Sequence, residues 1–195
     1  MPVSQKKSRD STSRSTCVAL LRGINVGKAK RISMADLRAL TENLGCSNVR
    51  TLLNSGNVVF EAGRLDPRKL AADIDQALQR HHGFSARVVV ITATDLLSII
   101  RDNPLLDVAT NPSAHLVAFV TESRLLTKLR PLLDADWKPD ALALGPRAAY
   151  LWCAQGILAS KLIEAVARAT GNSVTTRNWA TVLKLQALIA EPVQG

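Results

Sequence analysis

Aromatic residues, cysteine and histidine are all scarce in this chain, and each shortage closes a route. Aromatics make up 4% of the 195 residues, thin material for the stacked side chains on which single-stranded nucleic acids are read. Cys17, Cys46 and Cys153 are odd in number and show no C-x-x-C spacing, which argues against a disulfide framework and for buried thiols in a reducing cytosol. His81, His82 and His115 have no ligand-like spacing with a cysteine, so no metal site is expected. No apolar run approaches the roughly 20 residues that span a bilayer, and no membrane association is expected. Paired carboxylates, a catalytic triad and a G-x-S-x-G elbow are also missing. No catalytic residue, reaction class or cofactor follows, and whether the chain is an enzyme stays open.

Positive charge, by contrast, is in excess. The formal charge is +9, of which residues 1–16, with four basic groups and Asp10, carry +3 and the remainder +6. Such an excess favours acidic partners, here nucleic acid or a phosphorylated small molecule. Residues 1–16 lack the apolar stretch of a secretory signal and read as a disordered basic arm; an organelle presequence is the alternative. With 47% apolar residues the rest reads as a globular, cytoplasmic protein.

The order of elements carries the fold. Residues 17–22 read as a buried strand, and Ser33 caps a helix with Met34, Leu37, Leu40, Thr41 and Leu44 on one stripe. Strands follow at 49–53 and 58–60, joined by the turn Asn54-Ser55-Gly56-Asn57, in which Asn and Gly accept left-handed dihedrals. Asp66-Pro67 opens a helix whose inner face runs through Leu70, Ile74, Ala77, Leu78 and His81, and residues 87–91 form a fourth strand. A short helix over 96–101, capped by Thr94-Asp95, leads to a linker at 103–113. The pattern then restarts: strand 115–120, helix 123–133, strands 141–144 and 148–153, helix 156–169, strand 173–176. A closing helix spans 179–190. The fold class expected is α+β: two tandem ferredoxin-like (βαββαβ) subdomains with antiparallel sheets, 17–102 and 114–195, plus an extra C-terminal helix.

That topology brings two bends to one rim. The first strand leaves its sheet at the end where the hairpin between the second and third strands turns back. Arg22, Gly23, Asn25, Gly27 and Lys28 should therefore face Asn54, Ser55, Gly56 and Asn57. A glycine-bearing, basic strand-to-helix turn is a plausible anion cradle, although it is neither a Walker A loop nor G-x-G-x-x-G. The plain alternative is a tight turn with Arg22 paired to a carboxylate. Arg177 and Asn178, at the start of the last helix, are further anion-binding candidates; Arg177 paired with an acid while Trp179 docks the helix is the competing reading. Tyr150 and Trp152 share one strand face, either as an RNA-stacking surface or, better, as packing between the two plaits.

Four stretches together are distinctive: Leu21-Arg22-Gly23-Ile24-Asn25-Val26-Gly27, Asn54-Ser55-Gly56-Asn57-Val58-Val59-Phe60, Ser160-Lys161-Leu162, and Thr176 through Leu185 (TRNWATVLKL). From about Cys17 to Ile189 the chain resembles the bacterial family called domain of unknown function 1697. The resemblance implies two ferredoxin-like subdomains in one unit and brings no activity, cofactor or substrate. Lys28 departs from the common pattern, where a second glycine follows Val-Gly. The function expected is a soluble binding module whose basic, Gly/Asn-rich rim takes a nucleic-acid backbone or a phosphorylated compound. The alternatives are an enzyme on a small anionic substrate and a protein-interaction scaffold, with oligomeric state undetermined.

Overall fold

Along the opening strand Val18 and Leu20 take one face while Cys17, Ala19 and Leu21 take the other, and none is more than 6% exposed. A strand buried on both sides needs a layer above and a layer below. The computed structural model, which describes residues 14–27, 29–63, 66–171 and 173–191, supplies both. Its first half contains β1 (Ser15–Arg22), α1 (Met34–Asn43), β2 (Ser47–Leu52), β3 (Asn57–Ala62), α2 (Pro67–His82), β4 (Arg87–Thr92) and α3 (Ala93–Arg101). The second contains β5 (His115–Val120), α4 (Arg124–Thr127), β6 (Ala141–Leu144), β7 (Ala148–Trp152), α5 (Lys161–Ala169), β8 (Val174–Asn178) and α6 (Trp179–Ala190). The architecture is α+β: two four-stranded antiparallel sheets, ordered β2-β3-β1-β4 and β6-β7-β5-β8. No helix among the described residues is long and apolar enough to cross a membrane.

Three apolar layers alternate with the sheets. Ala19, Leu21, Val58 and Phe60 pack under α1 and α2, whose stripes Leu37–Leu40 and Leu70–Ile74–Ala77–Leu78 are buried as their spacing requires. Leu116, Ala118 and Leu151 pack with Leu162 and Val166 of α5. Between the sheets, Val18, Leu20 and Val59 meet Val117, Phe119 and Tyr150, with Leu96 of α3 and Val182 and Leu185 of α6. Tyr150 is buried there and donates its hydroxyl hydrogen to the Ile99 carbonyl at 2.7 Å, and Trp152 packs against the same layer. The inter-sheet reading of the aromatic pair holds, and the base-stacking one fails because the face is covered.

Local chemistry moved several boundaries. Ser15 and Thr16, assigned to the basic arm, open β1, and the arm's first thirteen residues lie outside the described chain. Ser33 caps α1 through the Asp36 amide and Asp66 caps α2 through the Arg68 amide. His81, expected on the inner face of α2, is exposed. The cap of α3 is Thr92, not Thr94: Thr92 Oγ1 accepts from the Asp95 amide in a full capping box. The helix expected over 123–133 is broken, because Pro131 cannot continue an α ladder; α4 stops at Thr127 and a 3-10 turn runs over Arg130–Asp134. The helix expected from 156 starts at Lys161, after a 3-10 turn over Ile157–Ala159. The last strand runs on to Asn178, which places Arg177 in the sheet. All three cysteines are free and buried.

His115, at the start of β5, is fully buried and stacks on Trp179 at 5.1 Å and 18°. Asn103 Nδ2 lies 3.3 Å from its Nε2, while its Nδ1 has no partner among the described residues. Burial pushes the imidazole below its ordinary value. The unfolded chain therefore takes up a proton first as pH falls, and folding stability should drop from about pH 6.5 downward. Urea midpoints measured from about pH 7.5 to 5 should show that decline, with a shallower slope in His115→Gln.

Candidate functional site

The loop after β1 turns on a left-handed Gly23 (φ +72°) and a left-handed Asn25 (φ +57°). Asn25 does the work of a miniature strand. Its Oδ1 accepts from the Ile32 amide at 3.0 Å, and its Nδ2 donates to the Ile32 carbonyl at 2.9 Å and to the Asn54 carbonyl at 3.0 Å. The two polar bends thus lie side by side, as the topology required. In the β2–β3 turn the left-handed residues are Leu53 and Gly56, not the asparagines. Gly56 is obligatory on two counts: its φ is +77°, and a Cβ there would meet Leu21 Cβ at 2.8 Å and Ile24 Cδ1 at 2.9 Å.

Arg177 closes this junction from the second sheet. It is 9% exposed, and all five of its N–H groups are committed. Nε donates to Asn57 Oδ1; Nη1 donates to Thr175 Oγ1 at 3.1 Å and to the Thr176 carbonyl at 2.8 Å. Nη2 donates to the carbonyls of Leu21, Gly56 and Ser55 at 2.8, 3.1 and 3.2 Å. None of these acceptors is a carboxylate, so the expected acid pair is replaced by four backbone carbonyls, an amide oxygen and a hydroxyl. Burial lowers its ordinary value to about 10, which leaves it cationic at neutral pH.

The remaining rim candidates are largely spent in the same way. Asn57 is fully buried and donates Nδ2–H to the Leu52 carbonyl at 2.9 Å and to Ser55 Oγ at 3.0 Å. Asn178 caps α6, its Oδ1 accepting from the amide and hydroxyl of Thr181 at 2.9 and 2.7 Å. Asn54 lines a shallow depression of about 580 Å³ with Asn25, Arg31, Ser33, Asp36 and His82. Gly27 is exposed, and Lys28 lies outside the described residues.

Arg22 points the other way. It lines a cleft of about 690 Å³ with Gly23, Lys30, Arg68 of α2 and Arg87 of β4; Thr121 and Glu122 close it from the second half. Arg22 and Arg87 are direct cross-strand neighbours in the β1–β4 register. Two guanidinium groups placed opposite one another make the spot between them attractive to an anion. Both guanidinium groups are steadied by β8: Arg22 Nη1 donates to the Val174 carbonyl at 3.1 Å and Arg87 Nη1 to Ser173 Oγ at 3.3 Å. Lys30 holds a strained left-handed φ of +52°, kept by the Asn25 amide on its carbonyl at 3.0 Å. The two carboxylates of the cleft are engaged: Asp75 Oδ1 accepts from the Ala86 amide at 2.8 Å, and Glu122 binds Arg124, which with Arg68 nearby holds its carboxyl below the usual range.

Sequence reasoning missed Arg68, Arg87 and Glu122 as cleft residues. For Arg87 a signal existed: with the last strand antiparallel beside the first, its opening residue must lie beside the first strand's closing residue. Arg68 and Glu122 meet only through the docking of the two halves, which no local pattern announces.

Fold and cleft define a two-sheet α+β protein with a basic hollow where its halves meet. The chain belongs to the family described as "Protein of unknown function (DUF1697)", whose model matches residues 14–150. It is similar in structure to a conserved bacterial protein from Streptococcus pneumoniae, with a TM-score of 0.75 at 20% identity, over 91% of this chain and 99% of that one. At that identity the likeness speaks for the fold alone. No curated protein matches.

If Arg177 is the tie between the sheets, Arg177→Ala should cost about 3 kcal/mol or more in urea unfolding, because several buried acceptors lose their donor. Arg177→Lys should also destabilise, by about 2 kcal/mol, since an ammonium cannot span the same fan of acceptors. Gly56→Ala should cost about 2 kcal/mol or more from strain and overpacking.

Proposed function

We propose that this chain is a binding module that takes an anionic ligand, a nucleic-acid backbone or a phosphorylated compound, in the cleft between Arg22 and Arg87. The observation that carries the reading is the cross-strand pairing of these two arginines, with Lys30 and Arg68 lining the same hollow. Converging guanidinium forks suit phosphate oxygens, which they grip bidentately. The binding residues are accordingly Arg22, Lys30, Arg68 and Arg87. Gly23, Asn25 and Gly56 shape the backbone around them, Asn57 and Arg177 hold the halves in register, and Asn178 caps α6.

The architecture behind this reading is a pair of ferredoxin-like subdomains, 17–102 and 114–195, joined at 103–113 and closed by α6. It is supported by the order of strands, each sheet placing its first strand between its third and fourth with every neighbour antiparallel.

Retention on phosphocellulose tests the site against a diffuse basic surface. The salt needed for elution should fall in Lys30→Gln and Arg87→Gln, and should stay nearly unchanged in Arg31→Gln, which lines the other depression. Equal shifts for all three substitutions, or none, would refute the cleft as the binding site.

A further inference from the structure

We infer that the ligand of this cleft is a small phosphate monoester with a compact apolar body and not a nucleic-acid strand; the inference rests on the reading of the cleft as an anion site. Charge comes first. Arg22, Lys30, Arg68 and Arg87 face Asp75 and Glu122, four cations against two carboxylates, for a surplus of two. A phosphate monoester carries about −1.5 to −2 at neutral pH and satisfies that surplus alone. A nucleic-acid footprint commonly engages about 6–10 phosphates, three or more times what this hollow can neutralise.

Shape agrees with charge. The hollow of about 690 Å³ falls within the roughly 300–1,000 Å³ of small-molecule sites. Thr121 and Glu122 of the second half line it as well, so the hollow is shared between the two halves and is not an uninterrupted basic track. One wall is apolar, built from Pro67, Ala71 and Ala72 along α2 with Val88 of β4. Arg22, Lys30 and Arg87 lie where β1 ends and β4 begins, and Arg68 stands on α2 beside the apolar wall. A ligand placed with its phosphate between Arg22 and Arg87 would lay its organic part along the α2 wall. The two arginines are held before any ligand arrives, Arg22 by the Val174 carbonyl and Arg87 by Ser173 Oγ. Such prior ordering spares a small ligand, which has few contacts to offer, the cost of arranging its own site.

Isothermal titration with three probes separates this inference from its parent reading: phenyl phosphate, inorganic phosphate and a single strand of about 16 nucleotides. Phenyl phosphate should bind one to one and several-fold tighter than inorganic phosphate, because its ring covers the apolar wall. Arg87→Gln and Arg68→Gln, both at exposed positions, should each weaken it about tenfold while the melting temperature stays put. The oligonucleotide should bind no tighter than phenyl phosphate and be displaced by it. An oligonucleotide that binds more tightly, with a steep salt slope and no displacement by phenyl phosphate, overturns the monoester inference and leaves an anion site standing. Failure of all three probes to bind the unaltered protein overturns both.

Discussion

A single buried cation holds this molecule's two halves in register. Arg177 leaves the edge strand of the second sheet and enters the point where the first sheet's opening strand and its hairpin turn back together. Three backbone carbonyl oxygens converge there with Asn57 Oδ1, and the Gly56 carbonyl among them also accepts the Leu21 amide. A guanidinium, with five donors in a rigid plane, is the one side chain able to satisfy so many acceptors at once. Desolvating its charge is expensive, and the dense ring of oxygen dipoles offsets that cost without a carboxylate.

The same strand also shapes the cleft. Ser173 and Val174, at the start of β8, steady Arg87 and Arg22, while Arg177 further along ties the strand to the first half. Relative placement of the sheets and placement of the basic groups are therefore one structural decision. The loop after β1 divides its labour accordingly: Asn25 spends its side chain on Ile32 and Asn54, so that Gly23 and Lys30 can border the hollow.

Much of the fold could be read before any coordinates. The apolar runs of β1 and β5, the stripe of α2, and the Ser33 and Asp66 caps each rest on neighbours a few residues apart, and each appears where expected. The failures have local causes of another kind. Pro131 cut a helix whose apolar spacing looked continuous, and Thr92 outcompeted Thr94 because only Thr92 has an acid at the third helical position. The candidate site was legible as a neighbourhood and not as a set of roles. Arg22 and Gly23 line the cleft, whereas the polar atoms of Asn57 and Arg177 are occupied inside the protein and Asn178 Oδ1 caps α6.

By itself the sequence determined the order and kind of nearly every element, and with it the meeting of two polar bends at one end of a sheet. Periodicity, capping and turn preference act over a handful of residues, and these suffice for that much. Only tertiary structure decided which polar groups would be consumed in holding the halves together and which would remain around a hollow. Hydrogen-bond saturation is a property of atoms 120 or more residues apart, as between Asn57 and Arg177. The spare charge of a site is what is left after those distant accounts are settled.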